Sequence, residues 1–263
     1  VLEEFGNPRW RRCYGTGSLQ SGKTLLYVLI PTLYHLFELR EDVILCAPTM
    51  ILAKAIVEDK ILPSIIASQY RELLPKEGSF SRQGRMVDRI VFGSGVSLRI
   101  LGAGGGDEQK SSHTAPCVVM SEIDKMDQPL TTSRESSPID QFESRTQAFG
   151  DRARIYGECM VSLKEGRIWR EVEKIGTGSQ IWLACRHCGH WQVPVRSNFL
   201  GWREAPTLED ARALGAYRCL GCSAAWSEED RAWSLDRPRM VARGQSIDNW
   251  GSVQGAVPQT TTF

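Results

Sequence analysis

The chain has 263 residues, 41% of them hydrophobic and 24% charged, with a formal net charge of +1. That length accommodates one large α/β domain with an appendage, or two modest domains, and the charge balance excludes an overall basic field. No apolar run approaches the ~20 residues that cross a bilayer and no signal peptide opens the chain, so the expected location is the cytoplasm.

In chain order, Arg11 to Thr16 reads as a first strand, although Arg-Arg-Cys-Tyr is a weak version of one. Leu25 to Phe37 reads as an apolar helix in which Pro31 predicts a kink or break. The continuous apolar run Val43 to Ala47 predicts a strand buried on both faces. Pro48 and Thr49 end it, and Ile51 to Ala67 carries helical spacing with Pro63 near its end. Arg89 to Leu101 alternates around Gly93 and Gly95, as a hairpin does, and Gly102 to Pro116 reads as a loop. Cys117 to Met120 is a second buried strand that runs into Ser121-Glu122-Ile123-Asp124, and Arg154 to Gly157 predicts a further strand. This alternation argues for an α/β fold with a mainly parallel central sheet flanked by helices, whose ligands bind at the carboxyl ends of the strands.

Gly17-Ser18-Leu19-Gln20-Ser21-Gly22-Lys23-Thr24 fits the phosphate-binding loop pattern G-x-x-x-x-G-K-[ST] at every position. The glycines permit a tight turn that aims backbone N–H groups at phosphate oxygens. Lys23 brings a compact positive charge to the β- and γ-phosphates, and the Thr24 hydroxyl suits Mg²⁺. The helix that starts here adds its positive dipole end. Nucleotide binding is therefore expected at residues 17–24, with ATP and Mg²⁺ as cofactors. The expected partner is an acidic strand end. Glu122 stands in the place of a carboxylate that activates the attacking water, whereas Ser121 occupies the position where an Asp commonly holds the Mg²⁺ shell. Asp124 either assists that shell or starts the next helix. Lys23 and Glu122 are the catalytic candidates.

Of eight cysteines, Cys13, Cys46, Cys117 and Cys159 are scattered among apolar neighbours and read as small buried hydrophobes in a reducing compartment. The others form two Cys-x-x-Cys pairs, Cys185/Cys188 and Cys219/Cys222, separated by thirty residues. Such knuckles supply four thiolates to one tetrahedral Zn²⁺, closed and therefore structural. A redox pair or two disulfides are the competing readings; two matched pairs beside other free thiols argue against both. His187 and His190 flank the first knuckle as substitute ligands, as partners of the sulfurs or as solvent-facing residues. Composition shifts here, since residues 181–233 are rich in Trp, Cys and Gly. The expected division is a phosphate-loop core over 1–178, a zinc-ribbon-like module over 179–236, and a return to the core or a linker over 237–263. Arg82, Arg85, Arg89, Arg145, Arg152 and Arg154 are candidates for an arginine finger or for DNA phosphates, and also for an ordinary solvated face. The loop segment Lys110 to His113 is a further candidate for reaching the γ-phosphate.

The order of these parts is similar to that of the large terminase subunit of lambda-like tailed phages. The likeness is carried by Gln20-Ser21-Gly22-Lys23-Thr24, Ala47-Pro48-Thr49, the strand ending near Glu122 and Asp124, Ile168-Trp169-Arg170-Glu171, and the two cysteine knuckles. The resemblance implies an ATP-driven motor that moves double-stranded DNA into a procapsid in the host cytoplasm. It also implies a homo-oligomeric ring, a portal and a small terminase subunit as partners. By the same resemblance Lys23 and Thr24 match the nucleotide-binding residues and Glu122 the catalytic carboxylate. Glu158-Cys159-Met160-Val161 takes the place of a Ser/Thr-rich coupling motif. The family's C-terminal nuclease domain is not expected after Ser246, so the chain, which opens on Val1 and not Met, reads as the motor portion of a longer protein. The alternatives are a helicase or remodelling ATPase, and a non-catalytic nucleotide- and zinc-binding adaptor.

Overall fold

The computed structural model describes residues 2–75, 88–104, 113–127, 136–161 and 164–263. Two compact units divide the chain: residues 1–176 with 260–263, and residues 177–259.

The first unit is built on a six-stranded sheet. Its strands are β1 (Arg12–Thr16), β2 (Val43–Ala47), β3 (Arg89–Val91), β4 (Ser97–Gly102), β5 (Cys117–Ser121) and β6 (Arg154–Cys159). Their order is β1-β6-β5-β2-β4-β3. All pairs are parallel except β3 with β4, the hairpin closed by Gly93 and Gly95. Every residue of β2 and β5 is buried. Strands covered on both faces need continuous apolar runs, because neither face meets water. The weak first strand is a real one. Cys13, Tyr14 and Gly15 are buried, the Arg12 guanidinium is taken by Glu143, and the chain end returns to pair with β1. There the Tyr14 N–H donates to the Phe263 carbonyl at 2.9 Å and the Phe263 N–H to the Arg12 carbonyl at 2.8 Å. This pairing satisfies an edge that would otherwise present open backbone groups.

Helix α1 spans residues 25–38 and runs through Pro31 unbroken. The expected break is absent because the helix is wound wide: the Leu39 N–H bonds to the Tyr34 carbonyl five residues back, at 3.1 Å, and the Ile30 N–H likewise to Leu25. Wide turns of this kind relieve the crowding and the missing donor that a proline imposes on a regular helix. Helix α2 spans residues 50–66, with the Thr49 hydroxyl accepting from the Leu52 N–H as its cap. Short helices that follow among the described residues include α3 (Ile123–Met126), α4 (Pro138–Ser144) and α5 over residues 167–175.

In the second unit, β7 (Gln180–Ala184) lies between β8 (Trp191–Gln192) and β11 (Arg239–Val241), all antiparallel. The β7–β11 pairing is what holds residues after 237 in this unit. A small ladder joins β9 (Phe199–Leu200) to β10 (Ala216–Tyr217), a second joins β12 (Ser246–Ile247) to β13 (Val253–Gln254), and the unit also holds two helices, α6 (Leu208–Leu214) and α7 (Glu228–Leu235). Its core is small: Leu183, Cys185, Cys219 and Trp226, with Tyr217 packed against them. Ala184, Val241 and Ala242 are also buried, and so few apolar side chains bury too little surface to stabilise a module of this size alone, so a staple is expected.

Candidate nucleotide site and cysteine cluster

The loop 17–24 leaves β1 at its carboxyl end and enters α1. Gly22 has φ +82°, a conformation that favours glycine, and Gln20 adopts a left-handed φ of 57° at some cost in strain. A Cβ at Gly15 would lie 2.1 Å from the Tyr27 ring, so α1 can sit on β1 only because that side chain is missing. The loop is preorganised around one carbonyl: Ser18 O accepts from Ser21 Oγ at 2.8 Å and from Lys23 Nζ at 2.7 Å. Beside it opens a cleft of about 720 Å³, lined by Gln20 to Leu25 from the loop and by Asp59, Lys60, Pro63 and Ser64 from α2. That volume suits a small-molecule ligand. The α2 contribution was not visible in the sequence, since Asp59 and Lys60 look like an ordinary solvated helix face.

Glu122 follows β5, also at the carboxyl edge of the sheet, with β6 between β5 and β1. It is a second left-handed non-glycine residue, φ 59° and ψ 50°, and it makes no side-chain cap to the helix it precedes. Its carboxylate instead lies 3.0 Å from Lys125 Nζ and 3.7 Å from Cys159 Sγ. Hydrogen bonding to Glu122 raises the Lys125 pKa. Strained non-glycine residues cluster where a side chain must be aimed. Asp124 has a different use: its Oδ1 accepts from the Ile168 N–H at 2.8 Å, tying the strand end to the first turn of α5. Glu158, on β6, accepts from Ser121 Oγ at 2.6 Å and is 1% exposed. Burial pushes its carboxyl above the usual carboxylate range and the Glu122 charge adds to this. The Ser121 hydroxyl, Lys23 and the Glu122 backbone pull it back. An acidic residue inside a buried strand was a visible anomaly, but its partner follows only from strand register.

A buried ionic network braces the same strands from below. Glu143 on α4 accepts from Arg12, from Tyr14 Oη at 2.5 Å and from Arg167 at 3.2 Å, and Arg167 Nε lies 2.9 Å from Glu171. The arginines singled out in the sequence stand elsewhere. Arg154 opens β6 and bonds to the Asp151 carbonyl, Arg152 pairs with Glu41 at 3.7 Å, and the Arg145 carbonyl accepts from the Ala115 N–H ahead of β5. All three are at the amino end of the sheet, about 16 Å of strand from the phosphate loop. Arg89 is exposed on the edge strand β3, and His113 precedes β5 among Arg89 and Arg99, where desolvation and their charge lower its pKa. Arg82, Arg85 and Lys110 to Ser112 lie outside the described residues.

The four sulfurs of Cys185, Cys188, Cys219 and Cys222 lie within 4.8 Å of one another, and none is in a disulfide. Cys185 Sγ is 3.9 Å from Cys222 Sγ, and Cys188 Sγ is 3.7 Å from Cys219 Sγ. A tetrahedron with zinc–sulfur bonds of about 2.3 Å has edges of about 3.8 Å. The two knuckles repeat one geometry. The residue after the second cysteine is left-handed in each, Gly189 at φ 72° and Ser223 at φ 60°. Its N–H donates back to the first cysteine's carbonyl, at 2.8 Å and 3.0 Å. Burial pushes the Cys219 thiol up, but the backbone N–H groups of Cys222 and Gly221 and the thiols of Cys185 and Cys188 bring it down to about 7. His187 is turned away to Asp230, 3.1 Å from its Oδ2, and the His190 ring packs over Gly221.

The family model for the phage terminase large subunit gpA, ATPase domain, matches residues 1–250. Comparison with curated proteins gives no match. Among solved structures, the Thermus phage P74-26 large terminase ATPase domain is similar at 15% identity, over 67% of this chain and 69% of that one, with a TM-score of 0.42. At that level of likeness the assignment rests on the family match, which spans most of the chain. The chain belongs to the phage terminase large subunit gpA family, within its ATPase domain.

Proposed function

We propose that the chain is the ATP-hydrolysing part of a motor that moves double-stranded viral DNA into a procapsid. Family membership supplies the coarser statement, an ATPase of phage DNA packaging. The observation that supports the finer reading is the meeting of loop 17–24 and Glu122 at the carboxyl edge of strands flanking β6. In this reading the backbone N–H groups of the loop and Lys23 bind the phosphates, with Lys23 exchanging its bond to Ser18 for a phosphate oxygen. The Thr24 hydroxyl serves the Mg²⁺, which when bound neutralises charge on the phosphates. Glu122 accepts a proton from the attacking water and holds it in line. Asp124, whose Oδ1 caps α5, links that strand end to the helix after the coupling segment and is read as a contributor to the metal shell. The cysteine cluster is read as a structural zinc site that stabilises the second unit. Ring assembly, portal and small-subunit docking, and action in the host cytoplasm are further parts of this reading, supported by family membership.

Ser121 in the Asp position favours the rival reading of a non-catalytic adaptor. Glu122→Gln separates the two. The motor reading expects this variant to bind ATP as the wild type does and to lose at least a hundredfold in turnover, whereas Lys23→Ala loses binding itself. Wild-type turnover no higher than that of Glu122→Gln would favour the adaptor.

A further inference from the structure

Ser121 stands where a metal-holding Asp is expected, and the strand beside it carries a carboxylate with no role so far. Glu158 has Gly15 of β1 and Ser121 of β5 as its lateral partners. Paired residues in neighbouring strands project to the same face. Gly15, Glu158 and Ser121 therefore form one row across the carboxyl edge, and the Tyr27 ring fills the glycine's place in that row. The Tyr27 ring covers Gly15, so this face is the one under α1, directly below the loop that presents Lys23.

Glu158 is an improbable residue for that place on structural grounds alone. Its side chain is sealed from water, with the Ser121 hydroxyl at 2.6 Å and the Glu122 backbone N–H as neutral partners. Lys23 and Lys125 act on it by charge and not by hydrogen bond. Two neutral hydrogen bonds offset only part of the cost of burying a carboxylate, and a cation would complete the site. The hydroxyl chemistry points the same way. A serine has one proton and two lone pairs. To turn its oxygen toward a divalent cation or a coordinated water, it must give the proton to another acceptor, and Glu158 is that acceptor.

We infer that Ser121 and Glu158 act together as a two-residue replacement for the missing Asp, with Glu158 as the positioning residue that orients the Ser121 oxygen toward the Mg²⁺ water shell and supplies the negative charge. This rests on the nucleotide-site reading above.

The test is Mn²⁺ affinity of the whole chain saturated with ADP, followed by the electron paramagnetic resonance of free Mn²⁺, beside ADP affinity without metal. Glu158→Gln and Ser121→Ala should each weaken Mn²⁺ about tenfold, the scale of one charge-assisted contact, and leave metal-free ADP binding within about twofold. The double variant Ser121→Asp/Glu158→Gln should regain the Mn²⁺ affinity, because the charge returns on a single residue. If Glu158→Gln does not fold, Ser121→Ala decides, since it leaves the buried carboxylate in place. Unchanged Mn²⁺ affinity with normal ADP binding overturns the pairing and leaves the nucleotide site standing. Equal losses with and without metal overturn it in favour of a packing role. A wild-type chain that binds no ADP overturns the nucleotide site and this inference together.

Discussion

The Glu122 carboxylate lies 3.0 Å from the Lys125 ammonium, three residues further on, while the Glu122 backbone is left-handed at φ 59°. A β-carbon in that conformation costs about 1 kcal/mol that glycine avoids. The side chain is therefore kept at some cost to the fold. Glu122→Gly should be about 1 kcal/mol more stable than Glu122→Ala in chemical denaturation, while both lose turnover. Equal stabilities would mean the strain is absent.

Glu158 gives a pH signature. Burial holds its carboxyl above the unfolded value of about 4.3, so the folded state binds the proton more tightly. Its contribution is therefore full below that value and is lost as the pH rises through the folded pKa. Glu158→Gln, which keeps an acceptor for Ser121 without the buried charge, should melt higher than the wild type at pH 8 in the metal- and nucleotide-free chain. The difference should vanish near pH 4. A lower melting point at pH 8 would contradict this.

Arg167 is the hub of the network under β1, with Glu143 and Glu171 both buried and both facing it. Removing one partner of a buried ion pair leaves uncompensated charge, at about 3–5 kcal/mol. Arg167→Ala should lose about 3 kcal/mol in urea denaturation. A loss under about 1 kcal/mol would mean that water screens the network.

The cysteine cluster predicts one zinc per chain. Cys219→Ser should release it, and the second unit should lose its thermal transition or melt well below the wild type, because its apolar core is only a few residues. Chelation should produce the same change. A metal-free chain with an unaltered melt would refute the zinc staple.

Much of this was legible in the sequence because the signals were local. The continuous apolar runs at Val43–Ala47 and Cys117–Met120 marked strands covered on both faces, and the glycine, lysine and cysteine spacings marked their own geometry. What was not legible depends on register between distant segments. Glu158 meets Ser121 only because β6, late in the chain, inserts between β1 and β5. Arg12, Tyr14 and Arg167 meet Glu143 across more than a hundred residues in the first two cases. Arg152 precedes β6 and Arg154 opens it, which places both at the amino end of the sheet. Pro31 predicted a break because a local rule assumes regular winding, and the wide turns of α1 set that rule aside.

The most direct test of the motor reading is steady-state ATP turnover of the chain as double-stranded DNA is added, beside Lys23→Ala and Glu122→Gln. The predicted result is turnover that rises with double-stranded DNA, exceeds any response to single strands, and falls at least a hundredfold in both variants. Turnover that persists in Glu122→Gln, or that responds only to single strands, would contradict it.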